Sequence, residues 1–153
     1  MLTLDYLKHH LQHAATIARW IHDEWCSREG MTFEDVLQRT LGCANDDRIP
    51  LTLVALDGDV CVGTVSLFVT DLGARPDLTP WLAALYVVPE RRNQGVGSAL
   101  MERLLDVARR LGVQRLYLHT ETAAPFYARR GWRFLFHAIN DRGEPTEVFV
   151  KEL

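Results

Sequence analysis

The segment from Trp81 to Arg110 leaves this chain few folds to choose among. Residues 81–88 form a nearly continuous apolar run, which predicts a strand buried on both faces of a sheet. Pro89 ends this run, and apolar positions then recur at helical spacing from about Gly95 to Arg110. A strand that leads through a glycine-bearing turn into a helix leaves unpaired backbone N–H groups at the turn. The sequence therefore predicts a mixed α/β fold that contains an anion-binding turn.

The elements predicted on either side complete one sheet with flanking helices. Apolar residues spaced by three and four predict helices, and alternating apolar residues predict strands. The predicted strands are 3–7, 51–56, 60–69, 81–88, 116–120, 132–137 and 146–151; the predicted helices are 11–25, 32–42, 95–110 and 126–130. Because no repeat or low-complexity block interrupts the pattern, we expect a single domain over residues 1–153.

Two local signals predict how particular elements begin or join. Thr32, followed by the acidic Glu34 and Asp35, predicts the capped start of the second helix. The pair Asp57-Gly58 lies between two alternating runs. It predicts a hairpin with a type I′ turn, because both residue types tolerate positive φ angles.

The composition argues against several classes of function. The chain has a net charge of −3 over 153 residues, so it lacks the excess of basic residues that nucleic-acid binding needs. No apolar run approaches the roughly 18 residues of a membrane span, and the first residues lack a leader pattern. The three cysteines have no C-x-x-C spacing, and the N-terminal histidines have no zinc motif, so no disulfide framework or metal site is indicated. We expect a cytoplasmic protein without a nucleic-acid or membrane partner.

The residues of the turn after position 88 suit the binding of a diphosphate. Gly95 and Gly97 lack the Cβ atoms that would keep phosphate oxygens from the backbone, and the helix dipole favours negative charge there. A P-loop motif is absent, and the G-x-G-x-x-G pattern lacks its third glycine, which disfavours a kinase or a dinucleotide-binding protein. The turn instead resembles the acetyl-CoA signature [RQ]-x-x-G-x-[GA] of the GNAT superfamily of N-acyltransferases, which Arg92, Gly95 and Gly97 match.

Two further stretches carry the same resemblance. Leu85, Val87 and Pro89 match in register the L-x-V-x-P strand that precedes the signature in this family. The stretch from Ala123 to Trp132 is similar to the A-x-x-F-Y-x-[KR]-x-G-F block that ends the CoA site. Two motifs in the family's order, over residues 81–132, make the resemblance more specific than either motif alone.

The resemblance implies a fold and a cofactor site. The fold is a mostly antiparallel sheet of about six to seven strands, splayed between the fourth and fifth strands and flanked by about four helices. The cofactor is acetyl-CoA, whose pantetheine arm would pair with main-chain groups of Leu85 and Val87 in the splayed gap. Thr120 stands where the family often has Asn, and Asn93 stands where Gly is common. The implied cofactor-binding residues are Leu85, Val87, Arg92, Asn93, Gln94, Gly95, Val96, Gly97, Ser98 and Thr120.

The resemblance also implies a reaction, the transfer of an acetyl group from acetyl-CoA to a primary amine of a small molecule or peptide. Tyr127 matches the family tyrosine that serves the leaving thiolate as general acid, and the ordinary pKa of a phenol suits that role. By the resemblance, Arg91, Arg129 and Arg130 are candidates for the 3′-phosphate of CoA, and a homodimer is common in similar proteins.

The proton acceptor stays open at this point. Many relatives carry a carboxylate at positions corresponding to Ala83 or Ala84, and an alanine takes no proton. The remaining candidates are Glu121, His119, Asp71 and Glu24. The missing carboxylates also leave an alternative function, a catalytically idle acetyl-CoA-binding sensor or regulatory module.

The acceptor pocket is expected from the first two helices and residues 70–80. The acidic residues Glu24, Glu34, Asp35 and Asp71 in these segments favour a cationic acceptor. The tryptophans at positions 20, 25 and 81 either line this pocket or fill the core.

Overall fold

Seven strands form one mixed sheet in the order β1-β2-β3-β4-β5-β7-β6. The computed structural model describes all residues from Met1 to Leu153. The strands are Leu2–Tyr6 (β1), Leu51–Asp57 (β2), Val60–Phe68 (β3), Trp81–Val87 (β4), Arg115–Thr120 (β5), Arg133–Ile139 (β6) and Pro145–Glu152 (β7). Only β4 and β5 pair in parallel. The expected mostly antiparallel sheet is confirmed.

Four α-helices flank the sheet, as expected: Ala14–Ile21 (α1), Phe33–Gly42 (α2), Val96–Arg110 (α3) and Ala124–Ala128 (α4). The predicted helix over 11–25 is only partly an α-helix, because a 3-10 turn precedes α1 and a π-helical turn, His22–Cys26, follows it. Apolar spacing of three and four fits these helix types alike, so the sequence could not separate them. These helices are too short or too polar to cross a membrane.

The helices cover both faces of the sheet. On β2, Leu53 packs in the cluster that contains Leu100 and Leu104 of α3, whereas the adjacent Val54 packs with Ile17 of α1. Successive strand residues point to opposite faces, so α3 and α1 lie on opposite sides of the sheet. Strands from both ends of the chain join this sheet, which agrees with the expected single domain. The single domain stays a prediction.

The sheet opens at β4. Trp81 to Ala83 are buried, whereas Ala84 to Val87 are only partly buried. The pairing with β5 is confined to Trp81 and Tyr117. Ala84 has a φ angle of 53°, and the register between β3 and β4 is interrupted nearby, between Thr64 and Ser66. An irregularity of this kind bends a strand. Full burial of residues 81–88 was therefore a wrong prediction for their second half, while the splay between the fourth and fifth strands is confirmed.

The predicted cap of α2 and the predicted turn between β2 and β3 have different outcomes. The backbone N–H of Asp35 donates to the Thr32 hydroxyl at 3.1 Å, and the N–H of Thr32 donates to the Asp35 carboxylate at 3.1 Å, which confirms the cap of α2. The predicted type I′ turn is wrong. Asp57 is still paired in β2, and only Gly58 of the turn has a positive φ, 60°. A single positive φ at the first turn residue is the pattern of type II′.

Candidate active site

A cleft of about 1390 Å³ follows the opening between β4 and β5. The turn before α3 lines one end, and the β3–β4 loop and the β6–β7 turn line the other. The expected site residues that line this cleft are Leu85, Val87, Arg92, Asn93, Gly95, Gly97, Ser98, Thr120 and Tyr127. Gln94 and Val96 do not line it: the Val96 side chain is buried in the core, and the Gln94 amide donates to the carbonyl of Glu90.

The turn before α3 presents a row of backbone donors, which we call the N–H cradle, Asn93–Ser98. None of these six N–H groups makes a hydrogen bond within the protein, and the first helical bond of α3 is donated by Ala99 to the carbonyl of Gly95 at 3.0 Å. Asn93 and Gly95 have φ angles of 62° and 86°. Left-handed residues at the start of a helix turn successive N–H groups toward one hollow, which suits a diphosphate.

The two glycines of the cradle have different reasons to be glycine. The positive φ of Gly95 is costly for a residue with a side chain. Gly97 has no such angle, and a Cβ there would lie 3.8 Å from both Phe126 and Val87, an ordinary contact. Packing within the protein therefore does not require glycine at position 97. Its missing side chain leaves room in the cradle for a ligand.

The arginines around the cradle are held by protein groups. Arg92 donates to the carbonyl of Val87 at 2.8 Å, so this main-chain acceptor is already paired. Arg130 donates to the Ser98 hydroxyl at 3.0 Å and stacks on Phe126. Arg91 pairs with the carboxylate of Asp57 at 2.8 Å. These contacts keep positive charge beside the cradle, although contact with a 3′-phosphate stays a prediction.

Tyr127 lies in the middle of the cleft. Its ring is packed edge-on against Phe126 and Trp132, while its hydroxyl makes no hydrogen bond within the protein. Burial, with a smaller effect of the Glu121 charge, raises the pKa of Tyr127 to about 12. The hydroxyl therefore stays protonated at neutral pH and is available as a hydrogen-bond donor.

Thr120 has a local role that the sequence did not predict. Its hydroxyl oxygen accepts a hydrogen bond from the N–H of Ala123 at 3.0 Å. This bond holds the turn between β5 and α4, the helix that carries Tyr127. Thr120 thus helps to position Tyr127, and its contact with the pantetheine arm stays a prediction.

Three of the four candidate proton acceptors meet at the far end of the cleft. The ring of His119 lies between Asp71, 3.1 Å from Nε2, and Glu121, 3.1 Å from Nδ1. Burial alone lowers the pKa of His119, but these two carboxylates raise it to about 10. Burial alone raises the pKa of Glu121, but hydrogen bonds from His119 and Thr146 lower it to about 2. His119 and Glu121 are therefore both charged at neutral pH.

Arg142, in the β6–β7 turn, completes this end of the cleft. Its side chain, only 7% exposed, contacts Glu121 at 3.1 Å, Glu144 at 2.8 Å and Glu29 at 3.8 Å. No sequence pattern singled out Arg142. The run Asn140 to Gly143 indicates a turn, but nothing local says that the turn reaches the end of β5.

Several acceptor-pocket expectations need correction. Glu34 and Asp35 do not line the cleft, and the carboxylate of Asp35 is held in the cap of α2. Trp81 is completely buried and belongs to the core. Trp25 lines the cleft, and both Trp20 and Trp25 pack against Tyr86 of β4. Trp25 and Tyr86 therefore line the cleft together with the charged side chains of its far end.

Comparison with known sequences gives one family and one curated relative. The profile of the acetyltransferase (GNAT) family matches residues 14–132. N-alpha-acetyltransferase 30 of Schizosaccharomyces pombe is 35% identical over 85 residues, which are 53% of this chain and 56% of that protein. The match thus spans only about half the length of this relative.

Comparison with solved structures gives many similar folds. An aminoglycoside 6′-N-acetyltransferase complexed with coenzyme A has a TM-score of 0.76 at 17% identity, over 98% of this chain and 96% of that chain. The PaiA N-acetyltransferase of Thermoplasma acidophilum, in complex with coenzyme A, has a TM-score of 0.73 at 16% identity, over 100% and 99% of the two chains. At such identities the likeness concerns the fold.

Proposed function

Because this chain belongs to the acetyltransferase (GNAT) family, we propose that it is an enzyme that transfers an acetyl group from acetyl-CoA to a primary amine of a small molecule or peptide. The observation that carries the proposal is the N–H cradle, Asn93–Ser98, at one end of the cleft. Six unpaired donors at a helix N-terminus suit a diphosphate, which CoA contains. The cleft continues from this cradle past Tyr127 to a polar end where the amine would bind.

The residues of the cleft divide the work of holding the two substrates. The cradle would bind the diphosphate, and the half-exposed main chain around Leu85 would face the pantetheine arm. Acetyl-CoA, when bound, supplies a thioester as the acetyl donor. Because the cradle uses backbone donors, affinity for CoA should depend little on the side chains of Asn93 and Gln94.

Tyr127 is proposed to donate its hydroxyl proton, or a hydrogen bond, to the leaving sulfur. With a pKa of about 12 the hydroxyl is a weaker acid than an ordinary phenol. Full proton transfer to a thiolate is therefore less favourable than a strong hydrogen bond. Either role needs the hydroxyl beside the sulfur, and both disappear when the oxygen is removed.

The alternative is a catalytically idle acetyl-CoA-binding sensor. Ala83 and Ala84, which provide no carboxylate on β4, favour it, whereas the open hydroxyl of Tyr127 favours an enzyme. The two functions share the cradle and differ in turnover. We expect the protein to act in the cytoplasm with either function, since its three cysteines are unpaired.

Release of free CoA thiol separates these functions. Acetyl-CoA is incubated with the protein and with kanamycin, spermidine or a peptide with a free α-amino group, since the relatives' names include aminoglycoside and N-alpha-acetyltransferases. We expect at least one amine to release CoA well above the rate without amine. Binding of acetyl-CoA in calorimetry with no release for any amine would favour the sensor. Absence of binding would contradict both functions.

A further inference from the structure

The protein has no carboxylate on β4, so the proton of the acceptor amine must leave by another route. At neutral pH a primary amine is mostly an ammonium ion, which has no lone pair for attack. The four candidates to take its proton are Glu24, Asp71, His119 and Glu121, and all four line the cleft. Their contacts distinguish them.

His119 is occupied by its neighbours. Its Nδ1 contacts Thr146 at 3.0 Å and Glu121 at 3.1 Å, and its Nε2 contacts the carboxylate and the carbonyl of Asp71. Thr146 donates its own proton to Glu121 at 2.6 Å, so it accepts from Nδ1. Both ring nitrogens therefore act as donors, and an imidazolium with two N–H groups accepts no further proton.

Glu121 is also occupied. One of its oxygens accepts from His119 and Thr146, and the other accepts from Arg142 at 3.1 Å. These partners stabilise its charged form, which makes it a weak base. Glu24 has the opposite condition: no hydrogen bond or ion pair holds its exposed carboxylate in one orientation.

Asp71 is held and still open. Its Oδ2 contacts His119 at 3.1 Å, while its Oδ1 has no hydrogen-bond partner in the protein. The side chain is 26% exposed, on the β3–β4 loop that lines the acceptor end of the cleft. One oxygen therefore fixes the carboxylate, and the other is free to meet an ammonium group.

We propose that Asp71 is the catalytic residue that takes the proton of the acceptor ammonium, and that His119 is a positioning residue that holds Asp71 from the end of β5. This inference rests on the proposed acetyl transfer. In the step, an N–H bond of the ammonium breaks and an O–H bond forms at Oδ1 of Asp71. The electron pair of the broken bond stays on nitrogen as the lone pair for attack, and the proton then passes to solvent.

The charges around Asp71 agree with this role. His119 favours its ionised form, whereas Glu121 on the same strand end, Asp141 in the β6–β7 turn and Glu29 after α1 oppose it. Burial, the largest effect, raises the pKa of Asp71 above its usual value. A carboxylate with a raised pKa is a better proton acceptor at neutral pH than an ordinary Asp.

The first experiment needs no acceptor. The ring nitrogens of His119 are followed by NMR from pH 5 to 9 in the wild-type protein and in Asp71→Asn. We expect His119 to stay protonated throughout in the wild type and to titrate at lower pH in the variant. A neutral His119 at pH 7 in the wild type would overturn the proposal, because His119 would then be the available base.

The second experiment uses the amine among kanamycin, spermidine and the α-amino peptide that reacts fastest. Asp71→Asn should lower kcat/KM by about 10²- to 10⁴-fold at pH 7. As pH rises toward the pKa of the amine, the ratio of the wild-type rate to the variant rate should shrink about tenfold per pH unit. The reason is that free amine then forms in solution and reacts without Asp71. A ratio that does not change with pH would overturn the proposal, since a purely structural or binding role predicts this result.

Matched variants keep this experiment decisive. Asp77→Asn makes the same change in the same loop, but Asp77 pairs with Arg75 outside the cleft, so its rate should equal the wild-type rate. His119→Gln should move the acid limb of the rate profile to higher pH, because Asp71 loses a positive neighbour, and His119→Arg should move it back. An unshifted limb in His119→Gln would contradict the positioning role. If no amine in the panel reacts although acetyl-CoA binds, the proposed function fails, and Asp71 has no amine to deprotonate. The NMR result still shows whether His119 and Asp71 form their charged contact.

Discussion

Tyr127 combines a buried ring with a hydroxyl that opens on the cleft. The burial that holds the ring in place also raises the pKa to about 12, so the group stays neutral over the working range of an enzyme. The fixed position of the ring and the raised pKa of the hydroxyl have the same cause, because a more exposed tyrosine would be both less fixed and more acidic. Thr120 contributes through the turn that begins α4.

Replacement of Tyr127 by Phe removes only the oxygen. We expect kcat to fall about 10²- to 10⁴-fold, which corresponds to roughly 3 to 5 kcal/mol of activation free energy. The dissociation constant of acetyl-CoA should hardly change, because the cradle consists of backbone groups. Steady-state kinetics and calorimetry measure the two quantities. Wild-type kcat in the variant would remove Tyr127 from the mechanism.

The start of α3 is the element on which the proposed cofactor binding depends. Gly97 has space for a Cβ within the protein, so substitutions there test the cradle without a steric defect in the fold. Gly97→Glu should abolish acetyl-CoA binding in calorimetry while the circular dichroism spectrum stays unchanged, because the carboxylate repels the diphosphate.

Gly97→Gln is the matched control for that charge, since it adds similar bulk without it. We expect Gly97→Gln to bind more tightly than Gly97→Glu, and the difference to shrink at high salt because screening weakens the repulsion. If folded Gly97→Glu binds acetyl-CoA as tightly as the wild type, the diphosphate does not lie at the cradle.

The start of α2 tests a different element, one whose residues Val36, Arg39 and Thr40 line the cleft. Thr32→Ala removes the hydroxyl that accepts from Asp35, and the free energy of unfolding should fall by about 1 kcal/mol. The melting temperature should fall by roughly 2–4 °C for a chain of this size. Thr32→Ser keeps the hydroxyl and should melt close to the wild type. Equal melting of all three proteins would show that the cap contributes nothing measurable.

At the scale of the whole molecule, the partly buried charges at the far end of the cleft affect stability. The His119–Glu121 pair makes the free energy of unfolding depend on pH. The folded-state pKa of His119, about 10, lies above its ordinary value of 6.5, so its contribution is complete below about pH 6.5 and is lost as pH rises through 10. The folded-state pKa of Glu121, about 2, lies below 4.5, so its contribution is complete above about pH 4.5 and is lost as pH falls through 2.

Urea unfolding across the pH range tests this dependence. The contribution of the pair should be greatest between about pH 4.5 and 6.5 and should decline on both sides. His119→Gln should reduce the decline between pH 7 and 10, because Gln does not titrate. An equally steep decline in this variant would assign the pH dependence to other groups.

The sequence by itself determined the features that depend on near neighbours. The spacing of apolar residues gave the seven strands and the helices, Thr32 with Asp35 gave a cap, and Gly95 with Gly97 indicated the cradle. Each of these signals acts within a few residues, so it survives whatever the rest of the chain does. Where signals were ambiguous even locally, as in the helix before Gly30, the predicted element had the right place and the wrong type.

Only the tertiary structure decided which charged side chains share the far end of the cleft. His119 meets the carbonyl of Asp71 across 48 positions of sequence, and Arg142 meets Glu121 across 21. No local pattern encodes these contacts, because they follow from the order β5-β7-β6 and from the bend of β4 at Ala84. The pKa of each group depends on these distant partners and on burial, so the sequence offered four equal candidates for the proton acceptor, and only the contacts in the fold give a reason to propose Asp71.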